Sequence, residues 1–146
     1  MLGLIVCGHG KFASGLKSNL EMIAGDQDKV IFIDFVKGMT PNQLESFYEK
    51  AILKLGLKEG IIFLTDVPGG TPFNQAVKVK LNHENVGVLS GINVPLLLEG
   101  LLQRNMNVQR YLQFAINAGQ RSMVSFDFDH IKTHNEAKKL SESDGI

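Results

Sequence analysis

Four short apolar runs, each bounded by glycine or polar residues, constrain the fold of this chain more than any other feature. They lie at residues 2–7, 30–36, 61–64 and 86–89. Continuous apolar runs of this length are typical of parallel strands that are buried on both faces. The intervals between them carry helical spacing. The sequence therefore predicts alternating strands and helices in an α/β fold.

The intervals also carry the signals that begin and end helices. The first ends at Gly25, which suits a left-handed C-cap. The second begins with Thr40 and Pro41, an N-cap followed by a first-turn proline, and Gln43 completes a capping box. We interpret Thr71, which precedes Pro72, as the N-cap of the third helix. The predicted buried stripes are Phe12, Leu16, Leu20 and Ile23 in the first helix, Leu44, Tyr48, Ile52 and Leu55 in the second, and Phe73, Val77 and Leu81 in the third.

A fourth helix is predicted to start near Pro95 and a fifth to span residues 108–119. Residues 124–128 then alternate between apolar and polar side chains, which indicates an antiparallel or edge strand. Right-handed crossovers arrange four β-α units as a flavodoxin-like, doubly wound sheet in the order 2-1-3-4. We expect one domain over residues 1–128 and a polar tail over 129–146.

Composition and charge narrow the class of partner. The chain has 146 residues, of which 44% are apolar, enough for one domain with its own core. Fifteen basic and fifteen acidic residues leave no positive excess to hold nucleic acid or an anionic membrane. No apolar run approaches the roughly 20 residues of a membrane span, no basic leader precedes the first run, and the single cysteine excludes an internal disulfide. We expect a cytoplasmic protein.

The topology predicts that a histidine and an aspartate meet. His9 follows the first predicted strand and Asp66 follows the third. In the order 2-1-3-4 these strands are neighbours, roughly 4.8 Å apart, and their carboxyl ends form the switch point at which open α/β sheets bind ligands. We expect the carboxylate to accept the proton of one ring nitrogen, so that the other nitrogen presents its lone pair.

The segment after Asp66 favours an anion at the same place. Gly69 and Gly70 let the backbone turn freely, and a helix begins at Thr71. Gly10 precedes the first helix, so we expect the positive ends of two helix dipoles to point into the crevice. A histidine, an orienting aspartate and helix N-termini together describe a place to hold a phosphoryl group on imidazole, without a metal ion or cofactor. The predicted phosphate-binding residues are Gly10, Gly69, Gly70 and Thr71.

The segments 5–15 and 64–74 are similar in order, spacing and strand context to the two signatures of the mannose-class IIA family of the sugar phosphotransferase system. The segment 90–95 resembles the third loop of that family. This resemblance covers roughly residues 1–125 and implies that His9 accepts phosphate from the phosphocarrier HPr and passes it to a IIB component, with membrane IIC and IID components involved only indirectly. It also implies that Asp66 is the ring partner, that Thr71 contacts the phosphoryl group, and that a C-terminal strand is exchanged within a homodimer. Lys11 stands where some members have an aromatic residue.

Other interpretations are weaker. Gly69 and Gly70 lack the lysine of a P-loop, and Cys7 in the first strand is expected to be a core residue. His130 and His134 have helical spacing suited to zinc, but no third ligand is evident. A regulatory phosphohistidine module, a dihydroxyacetone-kinase type of phosphocarrier and a flavin- or anion-binding domain remain open. We favour transport, because regulators usually embed this domain in longer chains.

Overall fold

The computed structural model describes residues 1–126, which form four strands and five helices. In chain order these are β1 (Gly3–His9), α1 (Phe12–Ala24), β2 (Val30–Phe35), α2 (Pro41–Leu55), β3 (Ile61–Thr65), α3 (Thr71–Asn82), β4 (Val86–Ser90), α4 (Val94–Leu101) and α5 (Val108–Arg121). Every predicted strand and helix within this range is present, and the capping box of Thr40 and Gln43 begins α2 as expected.

The strands form one parallel sheet in the order β2-β1-β3-β4, which confirms the predicted topology. β1 is central and is buried from Gly3 to Gly8. Its register places Cys7 beside Thr65 of β3 and His9 beside Phe35 of β2. Because all four strands run in the same direction, their carboxyl ends lie along a single edge.

The helices cover both faces of the sheet, because side chains of a strand alternate in direction and each face of β1 is apolar. Leu4 and Val6 pack in one core, which also contains residues of α1, α4 and α5. Ile5 and Cys7 pack in the other core, beneath α2 and α3. The prediction that Cys7 is a core residue is confirmed, since its side chain is fully buried.

Two predicted helix faces need correction. In α3 the buried residues are Pro72, Gln75 and Ala76, whereas Leu81 is 79% exposed. The contact face is shifted by one position, from Phe73 and Val77 to Pro72 and Ala76. In α1 the buried residues are Ala13 and Leu20, and Ile23 in the last turn is 59% exposed. Amphipathic spacing indicates which side of a helix faces the core, but not how far the core extends along it.

The end of the chain is only partly within the described range. α5 ends at Arg121, and residues 123–126 have no strand partner within the described part of the chain. The predicted strand at 124–128 and the domain boundary after residue 128 extend beyond residue 126, so both stay predictions. Among the described residues, no helix has the length and apolar character needed to cross a bilayer.

Candidate functional site

β1 and β3 bring the two predicted site residues into direct contact. His9 is the last residue of β1, and Asp66 follows the last residue of β3. Nδ1 of His9 lies 2.8 Å from Oδ2 of Asp66. The contact follows from the pairing of the two strands, because adjacent parallel strands end side by side at the carboxyl edge of the sheet.

The Asp66 carboxylate is held by three donors. Oδ2 accepts hydrogen bonds from the backbone amide and the ring Nδ1 of His9, both at 2.8 Å. Oδ1 accepts one from the amide of Val67, also at 2.8 Å. Burial acts to raise the pKa of Asp66, but the His9 amide, the imidazole and the Val67 amide outweigh it and hold that pKa below its ordinary value. Asp66 is therefore an ionised, acceptor-only partner at neutral pH.

This arrangement assigns different roles to the two ring nitrogens of His9. Because the carboxylate can only accept, Nδ1 carries the ring proton that it donates to Asp66. In the neutral ring, Nε2 is then unprotonated and presents its lone pair. The His9 side chain is 47% exposed, whereas that of Asp66 is 11% exposed. The imidazole is therefore accessible to solvent, whereas the carboxylate that orients it is shielded.

Phe35 restrains the plane of the imidazole. Its ring meets that of His9 edge to face, with centroids 5.6 Å apart and planes at 80°. The contact arises because Phe35 is the β2 neighbour of His9 in the strand register. Our sequence analysis missed Phe35 as a site residue. The strand register that pairs Leu4 with Val30 also pairs His9 with Phe35, and no local signal in the sequence reveals that register.

Gly70 lies against the other side of the imidazole. A Cβ atom at this position would lie 2.8 Å from Cε1 of His9 and 3.2 Å from the carbonyl oxygen of Val67, so the ring leaves no room for a side chain. Gly69 adopts φ +77°, a conformation that strongly favours glycine. The side-chain amide Nδ2 of Asn74 fixes this turn by donating to the carbonyl of Gly69 at 2.9 Å.

The start of α3 differs from the prediction by one residue. Gly70 is the N-cap and Thr71 is the first helical residue, so the prediction of Thr71 as the cap is wrong. The reason is that the carbonyl of Gly70 already accepts the backbone amide of Asn74 at 2.9 Å, which begins the helical ladder. First-turn amides such as that of Thr71 have no acceptor within their own helix, so α3 directs its positive end toward the site.

One amide at the start of α1 is already bonded. The amide of Ser14, in the first turn, donates to Oδ1 of Asp34 at 2.9 Å, so a carboxylate from β2 contacts this helix end. The expectation that the positive end of α1 also points into the crevice stays a prediction. Gly10 adopts φ +61° and its amide donates to the carbonyl of Phe35 at 2.9 Å. Gly10 thus forms the turn after His9, and its amide is already bonded to the last residue of β2.

The remaining candidates are not assembled into this site as reactive groups. Burial raises the pKa of the Cys7 thiol to about 12, which keeps it protonated. His83 lies at the far end of α3, where it forms the C-cap. His130 and His134, the possible zinc pair, lie outside the described residues.

Known proteins share both the sequence and the fold of this chain. The model of a family described as the phosphotransferase system (PTS) fructose IIA component matches residues 3–114. The PTS system fructose-specific EIIA component of Bacillus subtilis is 30% identical, over 97% of this chain and 99% of its own length. The PTS system mannose-specific EIIAB component of Escherichia coli is 36% identical over 71% of this chain, but this chain aligns with only 32% of its length.

Solved structures agree. The crystal structure of the phosphotransferase system component EIIA from Streptococcus agalactiae superimposes with a TM-score of 0.80 and 33% identity, covering 86% of this chain and 98% of that one. The family model extends across both segments that hold His9 and Asp66. On these grounds the chain belongs to the mannose/fructose family of phosphotransferase-system IIA components.

Proposed function

We propose that this chain is a cytoplasmic phosphocarrier of a sugar phosphotransferase system, which accepts a phosphoryl group from HPr on Nε2 of His9. The observation that carries the proposal is the 2.8 Å contact between Nδ1 of His9 and an ionised Asp66, which in the neutral ring leaves the lone pair on Nε2 of a half-exposed side chain. The comparisons support the general role, since the fructose-specific relative matched along its whole length is a PTS EIIA component.

The transfer step exchanges one P–N bond for another and needs no metal or cofactor. The lone pair of Nε2 attacks the phosphorus of the phosphohistidine on HPr, the new P–N bond forms, and the electron pair of the breaking P–N bond returns to the imidazole of HPr. The His9 ring becomes cationic, because Nδ1 keeps its proton. Asp66 stabilises that charge across 2.8 Å, in a shielded position where electrostatic interactions are stronger than in water.

The phosphoryl oxygens need donors on the side of the ring that faces α3. We assign this role to the amide of Gly69 and to the amide and hydroxyl of Thr71, because the backbone of Gly70 between them packs on the Cε1 and Nε2 edge of His9. The amide of Gly70 itself already donates to the carbonyl of Val67 at 3.1 Å. The first turn of α3 contains no acidic residue that would compete with the phosphate. Gly10 contributes the turn that directs the His9 backbone toward this point.

Delivery of the phosphoryl group to a IIB component completes the proposed cycle. This second transfer is the reverse of the first, because Nε2 now acts as the leaving nitrogen when the phosphoryl group moves to the histidine of the IIB component. Membrane IIC and IID components would then use the group for sugar uptake without touching this chain. A regulatory role for the same phosphohistidine would need no change in the site, but the relatives given above carry the names of sugar-specific PTS components.

The proposal is tested by reconstitution. The chain is incubated with labelled phosphoenolpyruvate, enzyme I and HPr, and a IIB component is then added. We expect label on this chain only when both enzyme I and HPr are present, and loss of that label after IIB is added. Failure to acquire label from phospho-HPr would overturn the proposed function, and label that never leaves for any IIB component would favour regulation.

We further propose that the working form is a homodimer in which residues 124–128 add a strand to the partner. Val124 and Phe126 are 84% and 83% exposed, and Met123 before them is 72% exposed. Side chains this apolar are costly to leave in water and invite association. β4 stands at the edge of the sheet, with one side unpaired within the described residues, and offers a place for such a strand.

A further inference from the structure

Beneath the site, a tyrosine of α2 is bonded to the first turn of α3. The side chain of Tyr48 is fully buried, and its hydroxyl donates to the carbonyl oxygen of Pro72 at 3.0 Å. Pro72 follows Thr71 directly, so the accepting carbonyl belongs to the turn that faces His9. We propose that Tyr48 is a positioning residue for phosphoryl transfer, which holds the N-terminus of α3 in register with Nε2 of His9. This inference rests on the proposed function of that site.

Neighbouring side chains in the core hold the Tyr48 side chain in place. Its ring packs on that of Phe63 in β3, with centroids 4.8 Å apart. Burial raises the pKa of Tyr48, so the hydroxyl keeps the proton that it donates. The thiol of Cys7, two residues before His9 in β1, lies against the same hydroxyl. The hydroxyl therefore lies between β1, which carries His9, and α3, to which we assign the contacts with the phosphoryl oxygens.

The need for such a bond follows from the tightness of the site. Gly70 has no room beside the imidazole even for a methyl group, so a small displacement of α3 changes its contact with His9. The hydrogen bond from Tyr48 reaches Pro72, two residues after Gly70, and ties the first turn of α3 to α2. Transfer rates depend steeply on such distances, because reacting groups must meet at about 3–3.5 Å.

The chain offers a matched control for the loss of a buried tyrosine hydroxyl. Tyr111 is also fully buried, but it belongs to the other core, beneath α1 and α4, and its hydroxyl has no hydrogen-bond partner among residues 1–126. Tyr111→Phe removes a hydroxyl without removing a bond. Tyr48→Phe removes an equally buried hydroxyl together with its bond to Pro72.

The test compares phosphoryl transfer from phospho-HPr in wild type, Tyr48→Phe and Tyr111→Phe, at a temperature at which circular dichroism shows all three folded. We expect Tyr48→Phe to lower kcat about tenfold, the effect of losing one aligned hydrogen bond, with the KM for HPr unchanged. Tyr111→Phe should match wild type. In ¹⁵N spectra, the change in the Thr71 amide shift on phosphorylation should shrink only in Tyr48→Phe, which a purely structural role would not produce.

Equal kcat values for Tyr48→Phe and wild type, or equal losses in both tyrosine variants, would overturn the positioning role. If Tyr48→Phe does not fold, labelled wild-type protein decides the matter, since the proposal requires a slowly exchanging Tyr48 hydroxyl proton coupled to the Pro72 carbonyl. A hydroxyl in fast exchange with water would contradict it. Failure of the proposed function is distinguishable, because wild type itself would then acquire no label.

Discussion

A single oxygen of Asp66 binds His9 twice, since Oδ2 lies 2.8 Å from both the backbone amide and Nδ1 of that residue. The carboxylate thereby fixes the backbone at the end of β1 and the rotation of the ring with the same atom. As a result, Nε2 is the ring nitrogen that does not contact Asp66. The His9 side chain is half exposed, and its Cε1 and Nε2 edge lies next to the N-terminus of α3.

Asp66→Asn tests this relationship. The amide side chain keeps the shape of the carboxylate, but it removes the negative charge and can present a donor to Nδ1, which selects the wrong tautomer. We expect phosphoryl uptake from HPr to persist with a rate lowered ~100-fold, typical of a supporting electrostatic group. Single-turnover transfer of labelled phosphate measures this. Equal rates for the variant and wild type would remove Asp66 from the mechanism.

The pH dependence of stability gives a second measure of the same contact. The pKa of Asp66 is lowered in the folded state from its ordinary value of 3.8, so the carboxylate stabilises the fold fully above that value. That contribution is lost as the pH falls below 3.8 through the folded-state pKa. The difference in unfolding free energy between wild type and Asp66→Asn should therefore be constant near neutrality and shrink in acid. Urea unfolding from about pH 6 to about pH 2 checks it. A difference that grew in acid would contradict the assignment.

Gly70→Ala tests the close approach of α3 to the imidazole. The new methyl group would lie 2.8 Å from Cε1 of His9, so the ring or the turn must move. We expect ~100-fold slower phosphoryl uptake, because small displacements of the nucleophile are costly. Gly15→Ala, in α1, meets no atom within 4 Å and is the control. Wild-type uptake in Gly70→Ala would show that this contact is not needed.

Most of the fold was readable from the sequence because its signals are local. Continuous apolar runs gave the four strands, and crossover handedness then placed His9 beside Asp66. The details that were missed depend on tertiary contacts. Asp34 contacts the start of α1 from a neighbouring strand, Phe35 reaches His9 through strand register, and Tyr48 bonds to α3 from α2. Strand order predicts which strand ends meet, but these three contacts depend on the register of the strands and on the packing of side chains, which local patterns do not specify.

The proposed dimer is tested by sedimentation at micromolar concentration. We expect twice the mass of the 146-residue chain for the full protein. Deletion of residues 123–128 should lower the assembled fraction, because it removes three apolar side chains that are 72–84% exposed in the single chain and that the proposal packs on the partner. It should also expose the apolar surface of the partner that these side chains cover, and so lower the solubility. Truncation from Thr133 is the control and should change little. A monomer, or unchanged assembly after the first deletion, would contradict the exchanged strand.

The most direct test of the account locates the phosphate. After reaction with phospho-HPr, the label should be labile in acid and stable in base, as a phosphoramidate is, and peptide mapping should place it on His9. His9→Ala should acquire none, whereas the control His83→Ala, altered at the far end of α3, should match wild type. Base-labile phosphate on Thr71, or acid-labile phosphate on the His9→Ala protein, would contradict the account.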